Sequence, residues 1–229
     1  MENRQLSLQL SRRADFSLNP TLFAPADLFA SPFQKSLPSP NPNRLNLAVA
    51  TPKTIGADDI HAAITQIAES IAARHRAGGR LILLGIANGG ILLAQRLALR
   101  ISSLSPKLSA RTGTIDISFH RDDIGRNPIP KEFTPTVLPA DVNGALVILV
   151  DDVLFSGRTV KAALDELFDH GRPAKVELAV LVDRGHHLMP VAADYIGLNV
   201  TTAATEKVVV ALDEQNPTRD RVTVRPALA

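Results

Sequence analysis

The sequence predicts an α/β fold built on a central, mostly parallel sheet flanked by helices. Three apolar runs carry that expectation: "LILLGI" (81–86), "ALVILV" (145–150) and "VELAVLV" (176–182). Runs that are apolar at nearly every position (Glu177 is the one charged residue in them) suit strands covered on both faces, which is the situation in parallel sheets and not in one-sided antiparallel ones. Helical patterns separate them, giving the βαβ rhythm of such folds. A chain of 229 residues, 45% of them hydrophobic, can bury one good core and carry an appendage.

Residues 1–52 form the appendage. The stretch "ASPFQKSLPSPNPNRL" carries Pro32, Pro38, Pro40 and Pro42 among serines and asparagines and holds no period. It cannot bury enough apolar surface to offset its ordering entropy, so a disordered extension is expected. It also contains Arg and Ser and few acids, the composition of an organelle transit peptide, and both readings stay open. The folded domain is expected over 53–229. Asp58 or Asp59 is placed to cap a helix in which Ile60, Ala63, Ile64, Ile67 and Ile71 recur at helical spacing, and Gly78-Gly79 closes it. The strand at 81–86 leads through "ANGG" into a helix at 91–101. Next, "TIDISF" (114–119) alternates as a strand, with Ile115, Ile117 and Phe119 on one face. Residues 121–144 have four prolines and no period, and a stretch of that length in a compact domain reads as a lid or flexible arm. Strand 145–150, helix 159–169, the "GRP" turn and strand 176–182 continue the rhythm, with late strands at 207–212 and 221–224.

Composition removes several function classes. Cys is absent, so there is no disulfide, thiolate metal site or cysteine nucleophile, which suits a reducing compartment such as the cytoplasm. No apolar run approaches the roughly 20 residues of a membrane span. Aromatics make up 4% with no Trp, leaving few platforms for stacking single-stranded bases. Five cations and three acids fall in residues 1–50, so of 25 and 23 in the chain, 20 of each remain in 51–229. That neutral body offers no bulk attraction to nucleic acid. His186 and His187 lack a third ligand at metal spacing.

The chemistry concentrates in "VILVDDVLFSGRTV" (147–160). Two adjacent carboxylates at the end of a buried strand repel each other and resist desolvation. In open parallel sheets, ligands bind beyond the carboxyl ends of the strands. There, Asp151 and Asp152 offer acceptors for hydroxyls or for a divalent cation's shell. The following loop offers backbone N–H groups, the hydroxyls of Ser156 and Thr159, and the start of a helix dipole, which suits a phosphate monoester. Gly157 allows a tight turn close to an anion. A sugar phosphate presents that pair of complements. Taken alone, the same residues also describe an exposed turn and a helix cap. The patterns G-x-x-x-x-G-K-[ST] and G-x-G-x-x-G after a strand are both missing, which sets aside nucleotide hydrolysis and dinucleotide binding.

The stretch resembles the phosphoribosyl-pyrophosphate (PRPP) signature of type I phosphoribosyltransferases. With "GTIDISFHRDD" (113–123), "GRPAKVELAVLVDRGH" (171–186), "ADYIGLNV" (193–200) and "EKVVVALDE" (206–214), residues 54–214 resemble one branch, the bifunctional pyrimidine-operon attenuation regulator and uracil phosphoribosyltransferase. That resemblance implies a parallel core with a small hood, subunits associating as dimers or larger, and conversion of uracil and PRPP to UMP and pyrophosphate with Mg²⁺ held through substrate rather than directly by protein. It also implies UMP-dependent binding of pyrimidine-operon leader RNA. It assigns the ribose hydroxyls to Asp151 and Asp152, the 5′-phosphate to Phe155, Ser156, Gly157, Arg158 and Thr159, and the pyrophosphate to Ala87, Asn88, Gly89 and Gly90. Arg121, Asp122 and Asp123 would lead into the flexible arm, and Val182, Asp183 and Arg184 would border the base.

The chain departs from that family in two places. Its pyrophosphate loop is Ala87-Asn88-Gly89 where other members typically carry Lys-Thr-Arg before a Gly, so charge-assisted bonds to pyrophosphate are lost. The positions that the resemblance assigns to RNA hold Gln66, Glu69, Ala192 and Leu198 in place of cations, while Thr65, Arg74 and His186 remain. Since phosphate contacts supply most non-specific RNA affinity, that binding is expected to weaken. The enzyme is therefore the first reading. A non-catalytic nucleotide-sensing RNA regulator, or a phosphoribosyltransferase for another base, are the alternatives.

Overall fold

The computed structural model describes residues 54–118, 120 and 134–226. The extension expected over 1–52 and the segment 121–133 lie outside the described residues. Strands are β1 (Thr54–Ile55), β2 (Gly79–Ile86), β3 (Leu108–Ile115), β4 (Leu146–Leu154), β5 (Lys175–Asp183), β6 (Tyr195–Asn199), β7 (Glu206–Ala211) and β8 (Arg221–Pro226). Helices are α1 (Ala57–Arg74), α2 (Gly89–Leu104) and α3 (Arg158–Asp169).

Five strands form a sheet in the order β3-β2-β4-β5-β6 with every neighbouring pair parallel. The period of two in strands explains its two cores. Leu81 and Leu83 of β2, Ile148 and Val150 of β4, and Ala179 and Leu181 of β5 face α1 and α2. Their alternates Ile82, Leu84, Val147, Leu149, Leu178 and Val180 pack on the other side with Val160, Ala163 and Leu167 of α3. Both faces are thus covered, as the near-continuous apolar runs require. Truncating a fully buried residue such as Ile148 to Ala would cost about 2–5 kcal/mol.

The late strands do not extend this sheet. β1, β8 and β7 form a separate antiparallel sheet, the hood, whose Val208, Val222 and Val224 join the core on the α1–α2 side. Asp220, with a fully buried carboxylate, ties hood to core: it accepts from Arg96 of α2 and from the Asp213 N–H, and lies 3.0 Å from His61 Nε2 of α1. Arg96 also donates to the Asp213 carbonyl at 2.5 Å. Burial alone would raise the Asp220 pKa, but these partners outweigh it and hold the carboxyl below its usual range.

Several expected boundaries move. Gly56, in extended conformation, is the N-cap of α1, and Asp58 and Asp59 sit inside its first turn, where the helix dipole favours acids. The strand expected at 114–119 ends at Ile115 and begins at Leu108, because parallel pairing with β2 sets its extent, Gly79↔Leu108 through Ile86↔Ile115. The helix expected at 91–101 runs from Gly89 to Leu104. Strand β6 was not expected from periodicity. Among the described residues no helix is long and apolar enough to cross a membrane.

Candidate active site

Sheet order reverses between β2 and β4: the chain moves outward from β2 to β3, then returns to place β4 on β2's other side. The loops leaving β2 and β4 therefore part in opposite directions and open a crevice between them, the usual ligand position in such sheets. Strand β4 continues past the expected end at 150 to Leu154, so both acids belong to the strand, with Asp151 paired to Val180. Asp151 is only 6% exposed. Its Oδ1 accepts the Asp152 N–H at 2.9 Å, which leaves most of its acceptor capacity for a ligand. Burial, and then the neighbouring Asp152 charge, hold the Asp151 pKa well above the carboxylate range. Burial also raises that of Asp152. A pair that resists ionising when empty is poised to gain from hydroxyl donors, a cation or a developing positive charge.

The turn after β4 has a geometry that an anion would fit. Gly157 has φ 89°, in the left-handed region, and acts as N-cap of α3, whose first turn has no acid. Ser156 Oγ accepts the Arg158 N–H at 3.4 Å, and the Ser156 carbonyl accepts the N–H groups of Leu188 and Met189, each at 3.1 Å. The turn is thereby braced from below while the start of α3 points its N–H groups outward. On the opposite wall, Asn88 is the N-cap of α2 and its Oδ1 accepts from Thr134 Oγ1 at 2.9 Å. A side chain at Gly90 would strike the Val150 carbonyl, and a Cβ at Gly89 would lie 2.5 Å from the Asp152 carboxylate. This loop must be glycine-rich to press against β4.

Between the walls lies a cleft of about 640 Å³ lined by Ala87, Asn88 and Gly89, by Asp151, Asp152 and Val153, by Ser156, Arg158 and Thr159, and by Ile117 and Lys207. The structure thus brings the acidic pair, the turn after β4 and the loop after β2 to one cavity. Phe155, Gly157 and Gly90 are not among its lining residues: the Phe155 ring packs on Arg184, Gly157 turns the chain into α3, and Gly90 lies against the Val150 carbonyl. Sequence reasoning missed Ile117 and Lys207. Lys207 comes from hood strand β7, and the one local signal was a lone cation opening an apolar run.

Other expected residues fall elsewhere. Arg121, Asp122 and Asp123 lie outside the described residues. Val182 is fully buried in the core, and Asp183 accepts from the Gly185 N–H at 2.8 Å and lies 2.9 Å from His187 Nε2. Arg184 is 6% exposed, its guanidinium 3.9 Å from the Phe155 ring centroid, with Nε and Nη2 unpartnered among the described residues. Desolvation lowers its pKa. The residues left for RNA are occupied within the chain. Arg74 donates to Asp194 at 3.0 Å and lies over the Tyr195 ring, Thr65 Oγ1 donates to the His61 carbonyl, and His186 Nε2 lies 2.8 Å from the Thr202 carbonyl.

A five-stranded parallel sheet flanked by helices, with two acids at a strand end and a separate small antiparallel hood, matches the type I phosphoribosyltransferase fold. The phosphoribosyl transferase domain family matches residues 56–215. Bifunctional protein PyrR 1 of Lactiplantibacillus plantarum is 46% identical over 166 residues, covering 72% of this chain and 92% of that protein. Bifunctional protein PyrR of Corynebacterium glutamicum is 48% identical over 172 residues, covering 73% and 88%. The chain belongs to the PyrR branch of the phosphoribosyltransferases. A hypoxanthine-guanine phosphoribosyltransferase of Bacillus anthracis shares the fold, with TM-score 0.56 at 18% identity, covering 77% of this chain and all of the other. A Trypanosoma cruzi hypoxanthine phosphoribosyltransferase does so with TM-score 0.55 at 21% identity, covering 75% and 94%. The chain is a pentosyltransferase.

Proposed function

We propose that this chain transfers the phosphoribosyl group of PRPP to uracil, releasing pyrophosphate and forming UMP. The carrying observation is that Asp151, Asp152 and the Gly157 turn open onto one cleft. In this reading Asp151 and Asp152 accept hydrogen bonds from the ribose hydroxyls, and the turn from Phe155 to Thr159 holds the 5′-phosphate at the start of α3. As the bond from C1 to pyrophosphate lengthens, positive charge develops on the ribose ring, and the two carboxylates below it stabilise that charge. The base nitrogen then bonds to C1 from the opposite side as its N–H proton passes to water or to the departing pyrophosphate, so the protein's contribution is orientation and electrostatics.

The carboxylates also fit a hard cation's oxygen donors. Mg²⁺ carried by PRPP would neutralise the leaving pyrophosphate, with Asp151 and Asp152 within its outer shell. Val182, Asp183 and Arg184 border the base in the same reading, and Arg121, Asp122 and Asp123 introduce the arm. Assembly into dimers or larger oligomers belongs to it too, and light scattering checks that.

The regulatory half of the reading is UMP-dependent contact with pyrimidine-operon leader RNA. Support for it comes from the bifunctional relatives, while Gln66, Glu69, Ala192 and Leu198 and the internally paired Arg74 supply little charge for phosphates. The enzyme therefore stands first. Incubating labelled uracil with and without PRPP tests it: PRPP-dependent labelled UMP is expected, and no UMP with tight, salt-sensitive RNA binding would reverse the order.

A further inference from the structure

The cleft poses a charge problem. Its leaving-group wall, Ala87-Asn88-Gly89-Gly90, carries no cation, and its floor carries two acids. Of the two cations lining it, Arg158 opens α3 beside Ser156 and Thr159, at the 5′-phosphate end. The other, Lys207, enters from the hood. In the β7–β8 register Lys207 stands directly opposite Arg225, so both project from the same face of the hood sheet. Like charges placed directly across a ladder destabilise it. Among the described residues no salt bridge relieves Lys207, and its charge is felt by Asp152 across the cleft. Lys207 and Arg225 are both exposed, so solvent screens much of their repulsion, and what the pairing leaves is a local excess of positive charge at the rim of the cleft, which suits an anion.

We propose that Lys207 is a substrate-binding residue that engages the pyrophosphate of PRPP and supplies the charge that the loop after β2 lacks. This rests on the reading of the cleft given above. Its consequence is that the hood, through one long side chain, takes part in gripping the leaving group.

The test compares Lys207→Ala and Lys207→Arg with the wild-type chain, with melting curves to establish that each folds. Loss of a charge-assisted bond should raise KM for PRPP and the inhibition constant of inorganic pyrophosphate about 10- to 100-fold in Lys207→Ala. KM for uracil should stay within about twofold, as should calorimetric affinity for ribose 5-phosphate, which lacks the pyrophosphate. Lys207→Arg should recover most of the loss, since charge and reach persist. Equal affinity of wild type and Lys207→Ala for PRPP and pyrophosphate overturns the proposal while leaving the cleft reading intact. Parallel loss of ribose 5-phosphate also overturns it, since the effect would then be general. If the wild-type chain binds neither PRPP nor ribose 5-phosphate, the underlying reading of the cleft fails and this proposal with it.

Discussion

Replacing both cleft acids, Asp151→Asn with Asp152→Asn, should uncouple stability from activity. The substituted amides match the carboxylates in shape, and an Asn at 151 keeps an Oδ1 to accept the residue-152 N–H now made at 2.9 Å. What disappears is charge held at 6% exposure beside a like charge. Folded Asp151 has a pKa above its unfolded value, so its contribution is fully favourable only below the unfolded pKa and is lost as pH rises through the folded one. At neutral pH the pair therefore costs stability, and its removal should stabilise by about 1–3 kcal/mol, raising Tm by about 2–4 °C for each kcal/mol. Turnover should fall. Two charge-assisted bonds to the ribose hydroxyls are weakened, each worth about 1.5–3 kcal/mol, together with the field that stabilises the ring cation. A loss of about 10²- to 10⁴-fold in kcat/KM for PRPP follows. Thermal melting and labelled-uracil turnover on the same preparation measure both quantities. Turnover within tenfold of wild type, or a clear drop in Tm at neutral pH, refutes the assignment.

Gly157→Ala puts a Cβ at φ 89° and 3.1 Å from the Met189 Cβ, so about 1–2 kcal/mol of stability and a several-fold rise in KM for PRPP are expected from melting and kinetics. Glu177 lies fully buried at the opposite end of the sheet; burial pushes its pKa up, but bonds from Lys175, Tyr195 and His75 bring it from 4.5 down to about 2. Because the folded pKa is depressed, this stability is present above pH 4.5 and lost as pH falls through 2, about 3 kcal/mol in all, and Glu177→Gln should flatten that limb of an acid-unfolding curve. Arg96→Ala leaves the Asp220 carboxylate with its main cation gone and should cost about 3–5 kcal/mol in denaturant unfolding.

The sequence disclosed those parts of the molecule whose burial is complete. Strands β2, β4 and β5 lie inside the sheet, covered on both faces, and their apolar runs were plain. The edge strands β3 and β6 have one neighbour each and mixed burial, so "LSARTG" gave no periodic signal and "YIGLN" was too short to give one. The motif at 147–160 was legible because its parts are contiguous. Its exact seat was not, since the β4 pairing with β5 carries the strand through Asp151 to Leu154. Lys207 could not be read from its neighbours, because it reaches the cleft only through the hood's docking.

That docking makes the site a property of the whole domain. Asp220 and Asp213, in the segment joining β7 to β8, are held by Arg96 in the middle of α2, and His61 on α1 adds a third grip on Asp220. The same helix α2 begins at Asn88 and Gly89, the wall facing the acids. One helix thus carries the cleft-lining loop after β2 at its start and the hood's anchor two turns later. Weakening Arg96 should shift Lys207 relative to Asp152 even where the fold survives, so a milder Arg96→Lys variant is expected to raise KM for PRPP more than KM for uracil. An equal rise in both would mean that the hood positions the base and not the pyrophosphate.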